Sequence, residues 1–495
     1  MKTRKILILI YVLLCVASLD SIYAQIRSDF VLVEKGAAPS LKVDKNGNIQ
    51  VIWLHEGIYH GVFDSLLNEI KASKRISSSG QAYSPRLDVK KEYAMVVWEV
   101  SQPTIFNSLI GGQLLTVSGD TVSGNVEFND SFGDADRFAP DVAFLTDTTF
   151  IVVWSGNGPG TGSSTGIYGQ IATVSHKKIG SNILLSDVFG SEILHGASLV
   201  VSDSSSGDFI VVWRDDRFGS NKAFGRLFFS DGRPKDASFL MSEDPELTDL
   251  WFLSGAMAPA GNFAVVWGSK KDNRWHIQLR WFLDDGMPLG PSLQVNSGLD
   301  TIVAFPSVDL SFDFDGTFVV VWEQEEGGHS KIFAQRFLPD GTLLGGNFRV
   351  SLIENTSDQF FPNVLLYNGK IYTAWVSQGI WANILDFNNL PTSVETQATD
   401  FPKNFQLHQN YPNPFNPTTT IKYEVSQRSR VSLVIYNVLG EEITTLVNKE
   451  VMPGIHEVQW NGKDLKGGEV STGIYFYRLS ADGRFTKIRK MLLVR

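Results

Sequence analysis

The chain has 495 residues, 43% hydrophobic and 12% aromatic with 44 glycines, a composition that excludes general disorder and suits a folded, turn-rich protein of more than one domain. Its formal charge is −10, with 28 basic against 44 acidic groups in residues 25–403, which argues against a nucleic-acid partner because phosphate contacts need clustered Lys and Arg. The one cysteine, Cys15, lies in the apolar N-terminal stretch, so a processed chain has no thiol for a disulfide or a thiolate-held metal.

Lys2, Arg4 and Lys5 precede the apolar run 6–19, and Ala24 offers a small residue for cleavage before Gln25. This is the pattern of a secretory signal peptide over residues 1–24. The run of 14 residues is short of the roughly 20 that span a bilayer. No later segment is apolar enough to span, so the mature chain is expected to have no transmembrane segment.

From about residue 38 a short apolar run ending in tryptophan recurs. Trp53, Trp98, Trp154, Trp213, Trp267, Trp322 and Trp375 end the seven copies at spacings of 45, 56, 59, 54, 55 and 53 residues. Such a period belongs to propellers or solenoids. The sixth copy is the clearest. Phe305-Pro-Ser-Val308 opens an inner strand, Asp315-Gly316 turns it, Phe318-Val-Val-Val-Trp322 makes a second, 331–337 a third, Asp340-Gly341 turns again, and 348–350 makes a fourth. Continuous β-branched and aromatic runs bounded by Asp-Gly fit strands covered on both faces, whereas helices need longer runs at a 3.6 period. Trp213, Trp267 and Trp322 each stand 18 residues before an Asp-Gly pair, so one structural unit repeats. The expected fold is all-β, a seven-bladed propeller of four-stranded blades over 26–390, with the tryptophans as inter-blade packing.

The seventh copy, 361–364, 370–375 and 379–385, stops after three strands. Residues 29–33, an apolar run outside any full repeat, are expected to complete the last blade and so remove an exposed edge. Residues 391–403 read as a linker.

Beyond it the pattern changes. Strand candidates 418–425, 431–436, 455–460, 474–479 and 487–494, separated by Gly- and Asn-rich turns, suit a small β-sandwich. Asn410-Tyr411-Pro412-Asn413-Pro414-Phe415-Asn416-Pro417 is followed by Val434-Ile-Tyr-Asn-Val-Leu-Gly440, Gly473-Ile-Tyr475 and the basic Lys487-Ile-Arg-Lys490. This set, covering 404–495, resembles the type A C-terminal sorting domain of the type IX secretion system. The resemblance implies an immunoglobulin-like fold, a partner in the secretion machinery, and a two-membrane host of the Bacteroidetes type. It also implies passage through the periplasm to a secreted or outer-membrane-surface location.

Chemistry is harder to read. His55 and His60 are i, i+5 and follow a strand, whereas a helical zinc pair is i, i+4. Asp44-Lys-Asn-Gly-Asn48 has calcium-loop composition without the distal Glu, so an Asx hairpin turn is expected. The glycines of 156–162 precede a strand rather than the helix a phosphate loop needs. Ser311-Phe-Asp313-Phe-Asp-Gly316 comes near the sialidase blade-tip motif but carries an extra residue. Asp134, Asp136, Asp215, Asp216 and 323–326 supply many acids and no assignable acid–base pair. No catalytic, cofactor or metal residue is assigned. The expected role is non-catalytic binding of a glycan or protein through the ring; a sialidase-like hydrolase or a lyase is the alternative, and a structural envelope protein the third.

Overall fold

A computed structural model describes residues 25–78, 81–101, 108–130, 137–156, 165–187, 197–201, 206–217, 219–244, 248–271, 274–296, 306–351, 357–390, 405–425, 429–451, 454–481 and 485–494. Regular structure among them is entirely β. The chain divides into two compact units, one ending at Val394 and one built on 395–495. The signal-peptide region and all of 391–403 lie outside the described residues.

The first unit contains seven four-stranded antiparallel sheets. The sixth runs Val308–Phe312, Phe318–Glu326, His329–Phe337 and Leu343–Arg349 in order, so chain order is sheet order. The first strands of consecutive sheets lie side by side, and that of the first sheet, Ala37–Val43, meets that of the seventh, Phe360–Tyr367. The ring is therefore closed: a seven-bladed propeller. In the seventh blade Phe360–Tyr367, Lys370–Val376 and Ile380–Asp386 supply three strands. The fourth is Gln25–Val33, pairing Phe30 with Ala382 and Val31 with Trp381.

The second strand of each blade is sealed because neighbouring blades cover both of its faces. In Phe318–Glu326, residues 318–322 are all 0% exposed. The seven tryptophans are between 0% and 4% exposed, and packing is their observed role. The Trp322 Nε1–H donates to Gln324 Oε1 at 3.1 Å and that of Trp213 to Asp215 Oδ2 at 3.2 Å. Trp322→Ala should cost about 3–5 kcal/mol through the cavity it leaves. Urea denaturation checks this, and a loss below about 1 kcal/mol would contradict the packing role.

Two repeated devices have no counterpart among the sequence expectations. A Ser or Asn 19 residues along accepts a backbone N–H near the start of the third strand, at Ile58–Ser77, Ile110–Asn129, Ile167–Ser186, Ala223–Ser242 and Ile277–Asn296. A pair of amides, a buried Gln and a more exposed Asn, then ties blades together. Asn125 Nδ2 donates to Gln113 Oε1 and to the Ile76 carbonyl of the preceding blade, both at 2.9 Å. Asn182 reaches Gln170 and Phe128 O at 2.7 and 3.0 Å, and Asn347 reaches Gln335 and Val295 O at the same two distances. Each amide satisfies a carbonyl that radial stacking would otherwise bury unpaired.

The second unit has two sheets, Gln406–Leu407 with Thr419–Val425 and Gly454–Trp460, and Glu442–Val451, Ser429–Tyr436, Gly473–Ala481 and Phe485–Leu493 in that spatial order. They enclose a core that includes Phe415, Leu433, Trp460, Tyr477 and Leu493. Glu442–Val451 and Gln406–Leu407 were not among the expected strands. The first shows no period-2 pattern, since it is half-buried or exposed along most of its length, and the second is only two residues long.

Candidate functional site

The inner strands carry the residues that face the propeller axis, and their shape is set by a bulge. Ala38, Ser84, Ala139 and Phe361 take φ values of 48°, 50°, 50° and 52°, each followed by Pro39, Pro85, Pro140 or Pro362. The pairing register slips at each of these points. A proline fits there because a bulge leaves an N–H without a ladder partner. Phe252, at φ 40°, makes the same bulge in the fifth blade without the proline.

In the fourth and sixth blades the residue after the tryptophan meets the bulge of the following blade. Glu323 is 3% exposed and accepts the Phe361 N–H at 2.6 Å, taking up a donor that the bulge frees. Burial pushes its carboxyl up to about 7, against the downward pull of that N–H. Arg214 is also 3% exposed; its guanidinium lies 4.1 Å over the Trp251 ring and donates to Leu250 O at 3.5 Å. Burial lowers it to about 10, with Asp216 opposing. Gly268 fills the equivalent place against Pro306, where a Cβ would come within 3.2 Å of the ring.

Nearer the axis, Asp309 links three blades directly and a fourth through Asn363. Its Oδ1 accepts Ser254 Oγ at 2.8 Å and its Oδ2 accepts Asn363 Nδ2 at 2.7 Å and Val364 N at 3.0 Å. Asn363 Oδ1 in turn accepts Leu41 N at 2.7 Å. Two residues further along its strand, relative to Asp309, Asp88 of the second blade accepts Phe144 N of the third at 2.8 Å, as Ser311 accepts Leu366 N at 2.9 Å. Burial raises both carboxyls, and Lys42 pulls each back down, so this lysine stands within the field of both.

The other acids flagged by sequence have structural partners or fall outside view. Asp215 is held by Trp213 and by Arg217, whose Nη2 lies 2.6 Å away and which also reaches Asp187 and Ser238. Glu326 pairs with Arg349 at 3.1 Å. Asp313, of the sialidase-like run, accepts Asn368 N at 3.1 Å and Gly369 N at 2.6 Å and so locks the sixth blade to the seventh. Asp134, Asp136 and residues 157–162 lie outside the described residues.

On the face where first and second strands turn, a cleft of about 700 Å³ opens between the first two blades. Asn46, Asn48, Lys71, Tyr93, Thr116 and Ser118 are among its lining residues. Beneath it His60 Nε2 meets Gln50 Oε1 at 2.8 Å, and Gln50 Nε2 donates to Asp44 Oδ2 and Val117 O, both at 2.8 Å. Burial, with Lys74 and Lys71 adding to it, drives His60 down to about 4. Asp44 caps its own turn, accepting the N–H groups of Asn46 and Asn48 at 2.8 and 3.0 Å. His55 instead packs on Tyr59. Among the described residues no group of three or more His, Cys, Asp or Glu is arranged to hold a metal ion.

In the second unit the 410–417 motif splits into a buried and an exposed part. Asn410 is 2% exposed; its Nδ2 donates to Thr419 Oγ1 at 2.9 Å and Pro412 O at 3.1 Å, and its N–H to Tyr477 Oη at 2.8 Å. Phe415 is 1% exposed and lies 5.6 Å from the Trp460 ring. Asn413 Oδ1 accepts Leu492 N at 2.9 Å, and Phe415 bridges Leu493 in parallel, so the motif grips the last strand. Tyr411, by contrast, is 82% exposed, and Pro412, Pro414, Asn416, Pro417 and Lys487 are also exposed. Gly440, at φ 79°, closes a turn capped by Asn437. Tyr475 donates to Ser471 O at 2.7 Å, beside Gly473 at the head of its strand.

Residues 415–484 match the FlgD Ig-like domain family. No curated protein matches the chain. Among solved structures, the GH93 alpha-L-arabinofuranosidase of Fusarium graminearum aligns at 12% identity and a TM-score of 0.42, over 63% of this chain and 94% of that one. An alpha-L-arabinanase of Penicillium chrysogenum aligns at 12% and 0.42 over 74% and 99%. A Trypanosoma rangeli sialidase aligns at 8% and 0.41 over 94% and 89%.

Proposed function

We propose that the protein is an extracellular propeller exported by a type IX secretion system, with residues 404–495 as its address label and the ring as a non-catalytic module for a glycan or protein. The division of the 410–417 motif carries the address reading. The side chains of Asn410, Asn413 and Phe415 are used up in holding the sandwich together, while those of Tyr411, Pro412, Pro414 and Lys487 remain on the surface. Surface groups of that kind are what a transport machinery can read. The secretory leader at 1–24 fits the same route, with transit through the periplasm.

The cleft between the first two blades is where the binding role is placed. Its amides, hydroxyls and single tyrosine suit the hydroxyl groups and apolar faces of a sugar. The hydrolase reading draws on Glu323, whose carboxyl stays protonated close to neutrality as a general acid must. Its 3% exposure and its bond to Phe361 favour a clamp between blades instead.

In the native host, a chain ending at residue 390 should accumulate in the periplasm while the full chain reaches the surface. Surface export of the truncated chain would refute the address reading. Incubated with a polysaccharide panel, the full-length protein should be retained without releasing new reducing ends; release of reducing ends would overturn the non-catalytic reading.

A further inference from the structure

Large apolar side chains are exposed unusually densely on the small domain. Tyr411, Val438, Leu439, Leu465, Ile474, Ile488, Leu492 and Val494 range from 37% to 82% exposed within 84 residues. Three of them lie together. Phe485–Leu493 is the edge of its sheet, and its pairing puts Leu492 opposite Ile474 and Ile488 opposite Arg478. Alternation along the strand sets Thr486, Ile488, Lys490 and Leu492 on one face, since Met491 and Leu493 fill the core at 1% and 0% exposure. Patches of this composition on a soluble domain mark interaction sites.

The backbone of the same strand is covered only at its C-terminal end. Leu492 turns its N–H and C=O outward, to Asn413 Oδ1 and to Phe415 N, and Lys490 turns its C=O to Gln409 Nε2 at 2.8 Å. By the period of two, the N–H and C=O groups of Thr486 and Ile488 and the N–H of Lys490 point the same way. Among the described residues nothing bonds these groups. The edge thus already accepts one segment of its own chain along half its length and leaves the other half open.

Charge selects the occupant. Lys487, Ile488, Arg489 and Lys490 are consecutive and exposed, and Arg478 stands opposite Ile488. Among the described residues no carboxylate lies within salt-bridge distance of Lys487, Lys490 or Arg478. Arg489 folds back to donate to Leu407 O, and Arg478 packs on Tyr436. Lysines on an edge ordinarily repel a second strand. Here they come with an apolar stripe, which a partner bearing carboxylates could use.

We infer that Thr486–Lys490 is the docking edge through which the address domain is read, by addition of an extended, acidic segment of the export machinery as a fifth strand. Main-chain bonds hold such a segment and alternate side chains choose it. This rests on the address reading above, and the test separates the two. Ile488→Pro deletes an outward N–H while leaving the ladder to Gly473–Ala481 whole, because that N–H takes no part in it. Lys487→Glu with Lys490→Glu reverses the charge and keeps the backbone intact. In the full chain expressed in the native host, each should cut surface protein at least about tenfold. The variant should accumulate in the periplasm, and the purified protein should melt within a few degrees of wild type.

If the chain ending at residue 390 stays inside while the charge-reversed variant is exported normally, the edge is not the docking site and the address reading survives. If the truncated chain is itself exported, both fall. Should Ile488→Pro melt early, the charge-reversed variant alone decides. Its rescue by an added Lys or Arg in a candidate acidic segment of the machinery would identify the partner.

Discussion

A chain that begins at Gly36 should melt about 10 °C below one that begins at Gln25. The strand Gln25–Val33 covers Ile380, Ala382 and Ile384, all at 0% exposure, and Phe30, Leu32 and Val33 pack into the same cluster with Trp53 of the first blade. Asp29 accepts Asn383 Nδ2 at 2.9 Å and Ser351 Oγ at 2.7 Å, so its loss strips partners from Asn383, itself 0% exposed. Three apolar side chains at about 1–2 kcal/mol each, and a buried amide left short of a partner at about 1–3, give a loss on the order of 5 kcal/mol. The cost goes beyond energy, because the outer edge of Ile380–Asp386 is left bare and becomes a template for intermolecular pairing. Scanning calorimetry of the two chains, with light scattering alongside, measures both effects. Restoration by a peptide of residues 25–35 added in trans would assign the loss to this strand, whereas an unchanged melt would show that the ring does not depend on it.

Apolar runs and turn glycines made the blades legible, because a strand buried on both faces must be apolar throughout and a tight hairpin needs positive φ. Phe318-Val-Val-Val-Trp322 shows the first rule and Asp340-Gly341, with Gly341 at φ 82°, the second. The seventh copy offered three strands for four places, and the N-terminal strand occupies the remaining one. What escaped reading depends on distance in space. The Gln and Asn of each clamp are 12 residues apart, yet the carbonyl that Asn182 satisfies belongs to Phe128, 54 residues earlier. Glu323 looked like one of three acids in 323–326; it lies in the strand Phe318–Glu326, and the bulge at Phe361 gives it a backbone N–H to accept in a buried place. Asp88, Asp309 and Lys42 drew no reading from the sequence, because their partners come from other blades. The motif in 410–417 was visible as a string, but its division into a gripping half and an exposed half follows from the fold around Tyr477 and Leu492.

Two buried groups set opposite pH limits on the ring, and this gives the second large effect. Glu323 has its folded value raised from 4.5 to about 7. Between those values the unfolded chain has lost its proton and the folded chain has kept it, so ionisation penalises folding progressively as pH rises from 4.5 through 7. His60 runs the other way, lowered from 6.5 to about 4: the unfolded chain takes up a proton first, and stability is lost as pH falls from 6.5 through 4. Each displacement corresponds to about 3 kcal/mol at its limit. Glu323→Gln keeps an oxygen for the Phe361 N–H and removes the charge. It should therefore stabilise the full chain by about 1–3 kcal/mol at pH 8 and leave it unchanged or slightly weaker at pH 4.5, where the folded carboxyl is neutral and the unfolded one only half-ionised. His60→Gln, which can still meet the Gln50 amide, should flatten the acid limb between pH 6.5 and 4 without touching the alkaline one. Urea denaturation at pH 4.5, 6 and 8 reads both. A Glu323→Gln effect equal at all three values would mean that the carboxyl is already ionised in the folded ring and that the seam between blades six and seven is held by charge instead.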